Sequence, residues 1–373
     1  MPTIPLMSVD LPAPLSPTSA ITSPRLIWLP TGDATKEDVS VPLEKLAKKH
    51  GFEVIVDAVT SFEAKEKKVT LESGKVIDDF EYIVVAIGQD KMKPKGVEHT
   101  LSICGKPEEA VELNKRIEEL VAKGSGKIAM GFGGNPKDTS AVRGGPAFEV
   151  LFNVNTMLKK KGLRDKFELT FFAPMEKPGL KMGHNAVEMM HKMFNMTNIH
   201  AQIGSKIISF EEDGINFENG TKLESDLIMF ISAGTGHHVL VNSGLPLSDA
   251  GFVVTNEYNE IDGFEGIYAI GDSASLMGPD WRAKQGHVAE VMAKNVAYNI
   301  FQKIQNINSK RSYIEHINIL CVMDTGDGAA FVYRTDKTAK MIPLPIIGHW
   351  MKKGWGWYCK NSKLGKIPRI PGM

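Results

Sequence analysis

Short apolar runs, divided by charged stretches with helical spacing, set the pattern of this chain. EYIVVAIG (81–88), KIAMGFGG (127–134), FELTFFAP (167–174) and SDLIMFISAG (225–234) are short, flanked by polar or turn residues and nearly continuous in apolar residues, as strands buried on both faces are. The run at 266–270, inside FEGIYAIGDSASLMGPDWRAKQG (264–286), is of the same kind. FEVIVDAVTSF (52–62), KKVTLESG (67–74) and KIISFEEDGINFENG (206–220) predict further strands, with Ser73-Gly74 as a turn. Three helices stand between them. VPLEKLAKKHG (41–51) stops at Gly51, with Lys48, Lys49 and His50 suiting its C-terminal dipole. KPEEAVELNKRIEELVAKG (106–124) is acidic at its start, and a third helix runs from near Pro146 to Gly162 with Lys159 to Lys161 in its last turn. Interleaved strands and helices predict an α/β fold with parallel sheets.

Composition narrows the class. At 373 residues the chain exceeds one ordinary domain, and two to three modules are expected. The 44 Lys and Arg cancel the 44 Asp and Glu, so nothing points to a nucleic-acid partner or an acidic bulk substrate. Cys104, Cys321 and Cys359 are too few and too scattered for a disulfide framework or a zinc cluster, and no metal site is expected. A reducing compartment follows as the default. No apolar run reaches the roughly 20 residues that span a bilayer. Residues 1–24 are rich in Pro and Ser and carry no Lys or Arg, so they lack a charged signal-peptide start and read as an irregular leader.

Two strand ends carry candidate chemistry. Gly271-Asp272 follows the 266–270 strand, and a helix opens near Lys284, Gln285 and Gly286. A carboxylate just past a strand, beside a Gly that lets a ligand approach the backbone, grips the hydroxyls of a nucleotide-type ligand. The run YIVVAIGQDKMKP (82–94) ends its strand at Gly88. Alone, the 82–94 run also reads as a buried strand with a turn Gly, and Gly271-Asp272 as a helix with a capping Asp.

Together the two strand ends resemble the FAD-dependent pyridine nucleotide-disulfide oxidoreductase family, whose members carry two dinucleotide-binding domains. Within it the chain is most similar to sulfide:quinone oxidoreductases and flavocytochrome c sulfide dehydrogenases, with type II NADH dehydrogenases as cousins. The resemblance covers residues 25–373 and rests on PRLIWLPTGD, VVAIG, GIYAIGDSA, RGGPAFEV, CVMDTGDGAAFV and WMKKGWGWYCKNSKLGKIPRIPGM. It implies two Rossmann-like domains: a discontinuous FAD domain (25–103 and 236–312) and a second dinucleotide-binding-like domain (104–235), followed by a quinone- and membrane-facing region (313–373). It implies FAD as cofactor, with Asp272 on the ribityl chain and the amides near Lys284, Gln285 and Gly286 at the flavin pyrimidine edge. Pro30, Val59, Ala86, Gly88 and Gly271 fall among the cofactor-binding positions by the same resemblance.

The chain departs from the family in three places. The first glycine is Gly32, so the opening G-x-G-x-x-G that cradles the diphosphate is missing; a truncated or misframed gene model is the expectation, a real variant with a crippled flavin site the rival, and the chain as given is expected to bind FAD weakly or not at all. In GFGGNPKDTSAVRGGP (131–146) a fingerprint would need Gly at 136, where Pro136 stands, so nicotinamide binding is disfavoured. Of the cysteine pair that carries sulfur in the sulfide-oxidising relatives, Cys321 matches one member, but Arg143 stands where the other belongs.

Cys104 matches a further family cysteine, Glu149 a proton-moving carboxylate and His184 a family histidine, with Glu108 where a histidine is expected. Read without the resemblance, Cys321 is equally a buried hydrophobe, Glu149 a helix-start carboxylate and His184 a surface residue. An Arg143 turned towards the flavin would lower the pKa of a nearby thiol.

Trp350, Trp355, Trp357 and Tyr358 alternate with Lys352, Lys353, Lys360, Lys363, Lys366 and Arg369, which suits the headgroup boundary of an anionic membrane. The expected activity is therefore electron transfer from sulfide, or another small reductant, through FAD to quinone. The expected location is a peripheral one at the cell membrane, otherwise cytoplasmic, and a homo-oligomer is one option. A type II NADH:quinone dehydrogenase, and an inactive fragment acting only as a binding module, are the alternatives.

Overall fold

The computed structural model describes residues 8–9, 19–21, 23–104 and 107–368. The diphosphate-cradle expectation falls on the leader, most of which lies outside the described residues, as does Arg369 in the tail.

The fold is α/β, as the pattern predicts. One parallel sheet has the order Ile199–Ile203, Phe167–Ala173, Gly126–Phe132, Leu227–Ile231. Against it lies the helix Gly145–Lys160, whose residues from Ala147 to Leu158 are all buried. Phe148 of this helix stacks on Phe171 with ring centroids 4.4 Å apart. A second parallel sheet joins Ser8–Val9, Ile83–Val85 and Ile267–Ala269, and the helix Gly286–Ile304 packs Val288, Met292 and Val296 beside Ala86, Tyr268 and Ile270. The chain passes between the two halves twice, at Asp90–Lys91 and Gly234–Thr235, and these crossover strands pair antiparallel. Past them, Ile319–Asp324, Gly328–Arg334 and Ala339–Pro345 form an antiparallel sheet that the helix Ile347–Lys363 covers.

Most predicted elements form with small shifts at their ends. The first helix is Leu43–His50 and stops where Gly51 takes φ 71°. The acidic helix is Pro107–Lys123. The 206–220 segment is a hairpin, Ile207–Glu211 with Gly214–Phe217. One expectation fails: of 52–62 only the end is a strand, Val59–Glu63, and Phe52, Ile55 and Val56 are exposed. A strand exists only through a ladder partner, and among the described residues none runs beside 52–58. The helix His184–Thr197 was not predicted from the pattern, because it opens at Gly183 with no capping side chain.

Candidate active site

A cleft of about 3170 Å³ opens between the two parallel sheets and the C-terminal antiparallel sheet. Its first wall is made by strand ends, where Ala86, Gly88, Gly271 and Asp272 come together. The helix Gly286–Ile304 points its N-terminus into the same space. Gln285 is its N-cap but makes no capping bond; its amide Nε2 donates to Asn318 O at 2.8 Å instead. The first amides of the helix therefore carry their positive end into the cleft without a side-chain acceptor. Cys104, Glu149 and Cys321 line the cleft as well.

Behind Cys321 lies a buried polar network. Glu149, on the helix Gly145–Lys160, forms a closed ion pair with Lys352 of the helix Ile347–Lys363. Glu149 Oε2 also accepts the Asp324 backbone N–H at 3.0 Å, and Lys352 Nζ donates to Val322 O at 2.7 Å. Asp324, fully buried, accepts Trp28 Nε1–H at 2.8 Å and meets His349 Nδ1 at 2.7 Å. Burial pushes the Glu149 carboxyl above its usual range, with Lys352 opposing. Burial pulls the Lys352 ammonium down, but Glu149, Cys321 and Asp324 together outweigh it and the net shift is upward. Burial also pushes the Cys321 thiol up to about 11, where Lys352 lowers it and Glu149 raises it.

That ammonium corrects two expectations. Lys352 does not face a headgroup layer: it is 8 % exposed and turned into the core. The cation acting on the Cys321 thiol is Lys352 and not Arg143, because the Arg143 guanidinium is drawn to the Asp272 carboxylate, with which it forms a close ion pair. Nothing in the pattern of the tail separates Lys352 from its neighbours; only the helix face decides it. Asp324, at the end of an apolar strand in CVMDTGDG, carried a signal that could have been read.

Lys284 is buried and donates to the backbone carbonyls of Asp272, at 2.9 Å, and Ala274. Its ammonium lies 3.7 Å above the Phe252 ring. Burial brings it down to about 8, against the pull of Asp272.

Residues 133–144 form the loop before the helix Gly145–Lys160 and take a shape of their own. Asn135 Oδ1 accepts the Lys137 and Asp138 amides, its Nδ2 donates to Gly234 O, and Ser140 O accepts the Lys284 amide at 3.0 Å. A side chain at Gly133 would meet the Phe230 ring at 2.9 Å.

Three expected residues stand away from the cleft. Pro30 is buried and does not line it, its carbonyl accepting Asn114 Nδ2 at 3.1 Å. Val59 pairs with Leu71 in a small antiparallel sheet. His184 is exposed at the first position of its helix. No disulfide joins Cys104, Cys321 or Cys359 among the described residues.

The model of the pyridine nucleotide-disulphide oxidoreductase family matches residues 20–295. The chain belongs to that family. It is an enzyme of this flavin-dependent oxidoreductase family. Among family relatives, the sulfide-quinone reductase of Aquifex aeolicus is 28% identical over 327 residues, 80% of this chain and 71% of that protein. The type II NADH:quinone oxidoreductase of Staphylococcus saprophyticus is 22% identical over 328 residues, 83% of this chain and 79% of that protein. The crystal structure of the Aquifex aeolicus sulfide:quinone oxidoreductase superposes with a TM-score of 0.79 at 24% identity, covering 92% of this chain and 83% of that one. NDH2 from Plasmodium falciparum in complex with NADH gives 0.63 at 12% identity, over 95% and 93% of the two chains. Both likenesses are of fold.

Proposed function

We propose that the chain is an FAD-dependent oxidoreductase that passes electrons from sulfide, or a related sulfur donor, to quinone. The observation that carries this reading is Cys321 on the wall of the cleft that Asp272 and the Gly286 helix start also line, with the Glu149–Lys352 pair beside it.

The residues present fit the flavin end of such a cofactor. Gln89 lines the cleft with both polar atoms of its amide buried and unpartnered among the described residues, a cost that a polar ligand relieves. The uncapped amides at Gly286 suit the edge of a ring on which negative charge develops. When bound, FAD supplies a two-electron acceptor that a sulfur nucleophile reduces and a quinone reoxidises. Asp272 would grip the ribityl hydroxyls, which requires it to release Arg143. Lys284 fixes the strand end by its two carbonyl contacts. Cys321 would present the sulfur, Glu149 would take and return the proton, and Lys352 would hold the negative charge left on sulfur. Cys104, at the cleft edge, would stand beside the cofactor rather than in the sulfur route.

The two crossover strands support the division into an FAD part, 25–103 with 236–312, and a second part, 104–235. The exposed Ile346, Ile347, Trp350 and Trp357 around the C-terminal helix support peripheral attachment to a membrane, the source of a quinone. No helix among the described residues is long and apolar enough to cross one.

Reconstitution with FAD, followed by anaerobic mixing with sulfide and then a soluble quinone, tests the reading. Bleaching of the flavin by sulfide and its return with quinone is the expected result. Bleaching by NADH but not by sulfide would instead establish the NADH dehydrogenase reading.

A further inference from the structure

We propose that Asp90, His237 and His238 form a binding site for a divalent transition-metal ion of the zinc class, placed at the crossover between the two halves of the molecule. Asp90 opens one crossover strand and sits opposite Thr235 of the other; His237 and His238 follow two and three residues later, where the chain turns into the short helix His238–Leu240. One donor atom from each of the three residues can be chosen so that all lie within 4.8 Å of one another. His238 Nδ1 is 2.8 Å from Asp90 Oδ2, and His237 Nε2 is 3.9 Å from Asp90 Oδ1. Around a tetrahedral zinc ion with bonds of about 2.0–2.1 Å, donor atoms stand roughly 3.3 Å apart. Closing donor separations of up to 4.8 Å to that spacing takes changes of about 1.5 Å or less, within rotamer freedom.

The surroundings hold the ligands in place. The two imidazoles are stacked, with centroids 4.5 Å apart and planes 25° from parallel, so the exposed His238 ring has to turn out of the stack before the in-plane lone pairs of both rings meet on one ion. Asp90 Oδ2 accepts the His238 backbone N–H at 2.8 Å, which orients the carboxylate as an outer partner would. The backbone just before the histidines is fixed: Gly236 N–H donates to Ala250 O at 2.7 Å and Thr235 Oγ1 to the same oxygen at 2.9 Å. A side chain at Gly236 would collide with the Gly251 carbonyl, so the turn cannot relax outward.

The existing contacts give way at small cost. The Val239 N–H reaches His237 Nδ1 only at 3.4 Å, the long limit of a hydrogen bond. The proton that His238 shares with Asp90 moves to the other ring nitrogen or to solvent, as ligation requires. Two imidazole nitrogens and one carboxylate oxygen suit zinc, cobalt and their neighbours; magnesium prefers an all-oxygen octahedron. Asp90 and His237 also line the cleft, so the fourth coordination position stays open to its solvent. The ion would join the outgoing crossover strand to the returning one and stiffen the connection on which the angle between the halves depends. The site is independent of the sulfide reading.

The full chain, stripped with a chelator and dialysed, is titrated with Co²⁺ and followed by visible absorption, then with Zn²⁺ by calorimetry. One equivalent of Co²⁺ with the intense bands of tetrahedral geometry, displaced by Zn²⁺ and not by Mg²⁺, is expected. Asp90→Asn and His238→Ala should each weaken Zn²⁺ binding by about tenfold or more, and His200→Ala, at a sheet edge elsewhere, should not. His238 is 74 % exposed, so His238→Ala keeps its fold, which circular dichroism verifies. Absence of saturable Zn²⁺ binding at millimolar concentration, or full affinity in both variants, would overturn the proposal.

Discussion

The Glu149 carboxylate and the Lys352 ammonium close a buried ion pair across 203 residues of sequence, joining the helix under the parallel sheet to the C-terminal helix. Removing one partner leaves a charge in a dry site. Lys352→Met is expected to cost about 3–5 kcal/mol, and Glu149→Leu with Lys352→Met to recover most of it. Urea denaturation measures both. The loss in Lys352→Met also depends on pH. The Glu149 carboxyl already lies above its usual range through burial, and without Lys352 it rises further. A raised carboxyl supports the fold below its unfolded value and loses that support as pH rises through its folded value. The single variant should therefore lose less at pH 5 than at pH 8. Equal stability of the single variant and the parent would show that the pair is not a structural tie.

Alkylation reads the state of Cys321. Burial sets its thiol near 11, and only the thiolate reacts. The rate of modification by iodoacetamide should climb about tenfold per pH unit from 7 to 10 and level off only near 11. Lys352→Met removes the one cation that lowers this value, so the rate at pH 8 should fall. Peptide mapping separates Cys321 from Cys104 and Cys359. A plateau already at pH 8 would contradict the burial argument.

The sulfur route depends on one cysteine. In the FAD-reconstituted enzyme, Cys321→Ser should abolish flavin reduction by sulfide and Cys104→Ser should leave most of it. Arg143→Cys should raise it by placing a second sulfur at the cleft and freeing Asp272. Rapid-mixing absorbance at the flavin band measures all three, and sulfide turnover in Cys321→Ser would sink the assignment.

Membrane attachment is tested by point changes, since removing the tail would also remove Lys352. Trp350→Ser with Trp357→Ser takes away two indoles that are 66 % and 57 % exposed. Co-sedimentation with anionic vesicles should drop several-fold while the unfolding midpoint stays put; unchanged sedimentation would place the membrane-binding face elsewhere.

The α/β class, the parallel strands and the strand-end Gly271-Asp272 were legible in the sequence, because buried parallel strands write themselves as continuous apolar runs and turn glycines punctuate them. Asp272, Gly286, Glu149 and Cys321 were expected in one site through the family resemblance, and they do share a cleft. Tertiary structure decided the rest. Residues 52–56 have the apolar content of a strand but no neighbour to pair with among the described residues, and pairing is a property of two segments. Lys352 looks like any lysine of an amphipathic tail until the helix is docked; its face then turns the ammonium onto Glu149, and burial makes it the strongest electrostatic influence on Cys321 after desolvation. Arg143 was free to act on the thiol by sequence, and Asp272 claimed it by proximity. Asp90 lies far along the chain from His237 and His238, and only the antiparallel pairing of two crossover strands brings them together. Local pattern determines which elements form; which charges meet is settled by distances that no local pattern encodes.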